Sequence, residues 1–220
     1  MPIIVIASPN GGAGKSTTSV LLGTELAHAG ADVVMLDCDP TRSLTLWAER
    51  GPLPPRIRVI SDVTEAEIVR LLKRLDQDGA VVIVDLEGVA SRMVSRAISQ
   101  ADLVITPMRA TTLDATIGAR ALALVAEEEE ALDRIIPHAV LFTMTKAVRS
   151  KQHASIEASL AAQGVDLIAP SLMERAAFSA LFEFGGDLRT MPAQGNMEGA
   201  RENAARFAQA VYSRLAEVQP

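Results

Sequence analysis

Pro9-Asn10-Gly11-Gly12-Ala13-Gly14-Lys15-Ser16-Thr17 is the stretch on which the reading of this 220-residue chain turns. An apolar run, Ile3–Ala7, leads into it and a helical pattern, Lys15–Ala29, leads out. Gly11, Gly12 and Gly14 carry no side chains, so successive backbone N–H groups can turn inward around an anion. A helix that opens at Lys15 adds unpaired N–H groups and a partial positive charge. In this setting Lys15 reaches the β- and γ-phosphates of a nucleotide, and the Ser16 hydroxyl coordinates Mg²⁺. Ala13 and Thr17 complete the set expected to touch the nucleotide. The general pattern has Gly five positions before Gly14, where this chain has Pro9.

Apolar runs and helical patterns alternate outward from the loop. Val33–Leu36, Ala80–Val84, Leu103–Thr106 and Ala139–Thr143 read as strands, with Arg56–Ile60 as a shorter one. Pro107 is expected to stop the run Leu103–Thr106. Helices are expected over Leu44–Glu49, Thr64–Leu75, Ser91–Gln100, Leu113–Glu130, Ser150–Gln163, Glu174–Phe184 and Ala200–Val218. Parallel strands need crossovers, which such helices supply. The prediction is an α/β fold: one doubly wound, mostly parallel sheet with helices on both faces, in a single domain over 1–220. Aromatic residues are 3% of the chain, so the core must be aliphatic.

Composition narrows the function classes. One cysteine, Cys38, excludes an internal disulfide and fits a reducing compartment. No apolar run approaches about 18 residues, so no membrane span is expected, and a cytoplasmic location follows. A net charge of −6 argues against a wholly basic nucleic-acid surface, though not against a local patch. Lys146, Arg149, Lys151, Arg175, Arg189, Arg201, Arg206 and Arg214 are the cations that could form one. His28, His138 and His153 lack metal-ligand spacing.

In an open α/β sheet a ligand sits beyond the carboxyl ends of the strands, so acids there have a chemical reading. Asp37 and Asp39 follow the second strand, and Asp85 follows the strand ending at Val84. Asp85 can hold a water on Mg²⁺, Asp37 can support the metal shell, and Asp39 can orient the attacking water. Each could equally be a turn cap.

With these residues in view, the chain resembles a ParA/MinD-type ATPase. The match runs through Gly11-Gly12-Ala13-Gly14-Lys15-Ser16-Thr17 and Asp37-Cys38-Asp39-Pro40, then Val82-Ile83-Val84-Asp85, Ala101–Pro107 and Thr111-Thr112-Leu113-Asp114. Its compact length resembles the small ParA proteins of plasmid partition, and Leu172–Phe178 resembles the VirC-type helper of T-DNA transfer. The resemblance implies an ATP-dependent homodimer that holds nucleotide at its interface and binds DNA nonspecifically on the nucleoid. It also implies release by a ParB-like or other small basic activator, and a cycle that positions a cargo. It assigns water activation to Asp39 beside Lys15, and loosely places adenine at Thr143, Thr145, Pro170 and Leu172. The alternative is a phosphate-loop assembly factor for DNA transfer or another complex.

One departure stands inside the loop. The family's signature lysine, which crosses to the partner's phosphates, is Asn10 here. An amide donates hydrogen bonds but carries no charge. Three readings follow: an engineered change, compensation by another cation such as Arg42, Lys146 or Lys151, or a switch that binds ATP and turns over slowly. A second departure is Leu86-Glu87-Gly88 after Asp85, where relatives often carry Pro-Pro; Glu87 is expected on the surface.

Overall fold

A computed structural model describes residues 2–88 and 91–218. Seven parallel strands form one sheet: β1 (Ile3–Ile6), β2 (Val33–Cys38), β3 (Ile57–Ile60), β4 (Val81–Leu86), β5 (Leu103–Met108), β6 (His138–Phe142) and β7 (Leu167–Ile168). Their order is β3-β2-β4-β1-β5-β6-β7. From β1 the chain winds one way through β2 and β3, returns to β4, then crosses to β5, β6 and β7 on the other side. The winding therefore reverses at β1, and a crevice opens beyond its carboxyl end.

Helices cover both faces, as expected. On one side lie α1 (Lys15–His28), α2 (Ser43–Arg50), α7 (Ala176–Phe184) and α8 (Met197–Val218), which contact one another. On the other lie α3 (Ile68–Gln77), α4 (Arg92–Ile98), α5 (Thr112–Leu132) and α6 (Lys151–Ala162). Side chains of a strand alternate between faces. Thus Ile4, Ile6, Met35 and Ile83 join the core under α1, while Val5, Val34, Val82 and Val84 join the core under α3 and α4. Trp47 is fully buried in the first core, its indole N–H donating to the Gly186 carbonyl at 2.9 Å.

The structure corrects several element boundaries. β5 does not stop before Pro107 but runs through it to Met108, which pairs with Phe142 of β6. The Ile105 carbonyl faces β1, and residues two apart share a direction, so the nitrogen of Pro107 faces β1 as well. By that level β1 has left the sheet to become the glycine loop, so no ladder bond is lost. α8 also begins three residues earlier than expected, at Met197.

Candidate nucleotide site

The loop between β1 and α1 is held in shape by its own backbone and by neighbours. Gly12 and Gly14 have φ of 72° and 87°, the left-handed region that favours glycine. Gly14 is also the N-cap of α1; with no capping side chain, the helix end stays open to a ligand. Its carbonyl accepts from the Thr18 N–H and hydroxyl, both at 2.8 Å. Just past β6, Thr143 donates its hydroxyl to the Ala13 carbonyl at 2.7 Å. Arg109, just past β5, donates from Nη2 to the Gly12 carbonyl at 2.9 Å. Asn10 donates its side-chain amide to Oδ1 of Asp114, in the first turn of α5.

Lys15 is buried at the start of α1. Gly88, after β4, lies over it: a β-carbon there would sit 3.4 Å from Lys15 Nζ and 3.6 Å from the Gly11 nitrogen. A cleft of about 550 Å³ opens in front, lined by Gly11, Gly12, Gly14, Lys15, Ser16 and Thr17 on one side and by Asp39, Pro40 and Glu87 among others on the rest. Glu87 is half-buried at the cleft wall rather than on open surface.

The three acids occupy distinct surroundings. Asp37 and Asp85 are register partners on adjacent strands. Oδ2 of Asp37 accepts from the Thr45 N–H at 2.8 Å and hydroxyl at 2.6 Å, so this carboxylate caps the first turn of α2. Its Oδ1 is buried without a partner. Asp85 is fully buried and neither oxygen has a well-formed hydrogen bond. Burial pushes its pKa up to about 7; the Ser16 hydroxyl opposes this, Asp37 adds to it, Lys15 opposes it and Asp39 adds to it. Asp39 is half-buried on the cleft wall, where Oδ1 accepts from the Thr41 N–H at 2.8 Å. Burial, with Asp37 and then Asp85, also pushes the Cys38 thiol up to about 12, so it stays protonated and inert.

Orphaned carboxylate oxygens next to a hydroxyl are a hard-oxygen donor set, which fits Mg²⁺. A divalent cation would reverse the penalty on ionised Asp85. Among the described residues no group of three His, Cys, Asp or Glu could hold a metal by protein ligands alone. Mg²⁺ commonly completes its shell with water and substrate phosphate.

The four positions loosely assigned to adenine separate. Thr143 and Leu172 line a recess of about 100 Å³ with Gly14, Thr17, Met173 and Arg175, adjoining the loop. Thr145 instead bonds Ser171 at 2.9 Å, and Pro170 lies in the β7–α7 connection outside that lining. A further cavity of about 240 Å³ lies behind the loop, between α4 and α5, where the Thr106 hydroxyl is buried without a partner.

Several surface cations are neutralised. Arg149 pairs with Glu157, Arg189 with Glu25, Arg206 with Glu202 and Arg214 with Asp166. Lys146, Lys151 and Arg201 remain exposed. Arg109 was not among the residues singled out in the sequence, although it follows the carboxyl end of a central strand, the same signal that identified the acids.

The family model for the CobQ/CobB/MinD/ParA nucleotide binding domain matches residues 4–188. The chain is 63% identical over 219 residues to Protein ParA of Rhizobium radiobacter, covering 99% of each. It is 27% identical over 190 residues to Protein virC1 of Rhizobium rhizogenes, covering 84% of this chain and 82% of that one. The fold matches that of the ATP complex of Cyanothece McdA with a TM-score of 0.76 at 22% identity, over 98% of this chain and 96% of the other. The chain therefore belongs to the CobQ/CobB/MinD/ParA nucleotide-binding family, and within it is of the ParA type.

Proposed function

We propose that the chain is an ATP-dependent switch: it binds ATP with Mg²⁺, dimerises around it, binds DNA nonspecifically in that state, and positions a cargo until a partner protein stimulates hydrolysis. The observation that carries this reading is one geometry. An open helix end, a glycine loop and buried Lys15 line a single cleft at the strand where the winding reverses, and the buried Asp85, register partner of Asp37, interacts with the Ser16 and Lys15 that line it.

In this reading the loop N–H groups and Lys15 bind the β- and γ-phosphates. Ser16 and Asp85, with Asp37 beside it, would hold Mg²⁺, which would supply positive charge beside the phosphates when bound. Asp39 orients the attacking water from the opposite wall of the cleft. Thr143 and Leu172 border the base. Asp37 combines a metal-side oxygen with a capping oxygen, tying α2 to the site. The family membership and the 63% identity to a ParA protein support the partition role. DNA contact falls to exposed Lys146, Lys151 and Arg201, doubled in a dimer, and reads phosphate rather than sequence.

DNA co-sedimentation tests the proposal. Binding should require ATP with Mg²⁺, fail with ADP, ignore sequence and decline steeply as salt rises. Equal binding with and without nucleotide would refute it.

A further inference from the structure

We infer that Arg109 supplies to the nucleotide phosphates the positive charge that position 10 lacks. The inference rests on the nucleotide reading of the cleft given above.

Position 10 holds a neutral amide, so the loop offers Lys15 as its own charged side chain. The connection between β5 and α5 touches the loop at two points. Arg109 Nη2 donates to the Gly12 carbonyl, and Asp114 accepts from Asn10. Arg109 therefore stands on the flank of the loop that the residue-10 side chain also faces. A β-carbon on Gly12 would come within 3.2 Å of Nη2, so the guanidinium lies directly on the loop.

Arg109 is exposed, and among the described residues no carboxylate lies within ion-pair distance of it. The acid closest in sequence, Asp114, is taken by Asn10 and Thr111. A guanidinium carries five N–H donors in a rigid fork suited to phosphate. The bond to Gly12 orients the fork and leaves other donors free. The other cations considered are placed differently: Arg42 pairs with Asp62 at 3.6 Å and Lys151 opens α6. A cation oriented beside a phosphate loop, unpaired and exposed, is suited to charge that develops during phosphoryl transfer.

The test compares the wild type with R109Q, R109K and the double variant N10K/R109Q. Each is measured for affinity toward fluorescent ATP and ADP analogues with Mg²⁺, and for steady-state ATP turnover. R109Q should lower turnover and the preference for ATP over ADP by about 10-fold or more, given the scale of arginine contributions to phosphoryl transfer. Its ADP affinity should stay within about 3-fold, since Lys15 and the loop amides still hold the β-phosphate. R109K, which keeps the charge, should lose less than R109Q. N10K/R109Q should recover most of the loss, because charge returns on the same flank; a purely structural role at Gly12 would not be rescued this way. Equal ATP preference and turnover in R109Q and wild type would overturn the inference, as would failure of N10K to rescue. Failure of the wild type itself to bind either nucleotide would instead overturn the reading of the cleft, and the inference with it.

Discussion

The Asn10 side-chain amide donates to one oxygen of Asp114, and the Thr111 hydroxyl donates to the other. The Asp114 N–H in turn donates to the Thr111 hydroxyl oxygen at 3.1 Å, capping α5. The glycine loop and the start of a helix 104 residues away are thereby locked together through one buried carboxylate.

Replacing that carboxylate should unlock them. D114A removes the acceptor for two side chains and an acid from the first turn of a helix, a loss of about 1–2 kcal/mol. Thermal unfolding should show a lower Tm than the wild type. An unchanged Tm would mean that the three-residue cluster contributes nothing to stability.

Thr106 should respond in the opposite direction. Its hydroxyl is buried in the sheet with no partner. T106V keeps the branched shape, which suits a strand, and removes an uncompensated polar atom, a gain of about 1 kcal/mol. Denaturant unfolding should shift to a higher midpoint; a lower one would show that the hydroxyl is satisfied in solution.

Gly185 should tolerate nothing larger. It has φ of 69°, and a β-carbon on it would lie 2.4 Å from the Gly51 nitrogen. G185A combines left-handed strain with a backbone collision, about 2–4 kcal/mol together. Stability measured by chemical denaturation should fall accordingly, and a loss below about 0.5 kcal/mol, the range of ordinary surface changes, would contradict the close approach.

Asp187 sets an acid limit. Burial raises its pKa, but the Arg189 N–H, His28 and the Thr190 hydroxyl and N–H outweigh this and hold the carboxyl below its usual range. A depressed folded-state pKa means stabilisation that is present above the unfolded-state value and lost as pH falls through the folded one. The stability advantage of the wild type over D187N should be constant at neutral pH and shrink below about pH 4, where aspartate normally titrates. An advantage that grows toward acid pH would contradict this.

How much of this was legible in the sequence varies by element. The doubly wound sheet was, because β-branched runs such as Val81–Val84 and helical spacing such as Ile68, Leu72 and Leu75 each report local periodicity. Pro107 misled because its missing N–H matters only if a neighbour is present to accept it, and β1 ends first. The loop and the three acids could be found from spacing. That Asp37 commits one oxygen to a helix cap and leaves the other buried without a partner could not, because the partner Thr45 is set by how α2 docks. Arg109 escaped for the same reason, as did the tie that Asp114, quoted only within the resemblance, makes to Asn10: these contacts with the loop join residues 97 and 104 positions apart. His28 carried no motif, yet it meets Asp187 at 2.7 Å.

In the proposed function, the nucleotide bound in this cleft sets the assembly state. Size-exclusion chromatography with light scattering resolves this when run on the wild type with Mg²⁺ and ATP, with Mg²⁺ and ADP, and without nucleotide. A dimer with ATP and a monomer in the other two conditions is the expected result. A monomer in all three, or one unchanging dimer, would refute the nucleotide-driven switch.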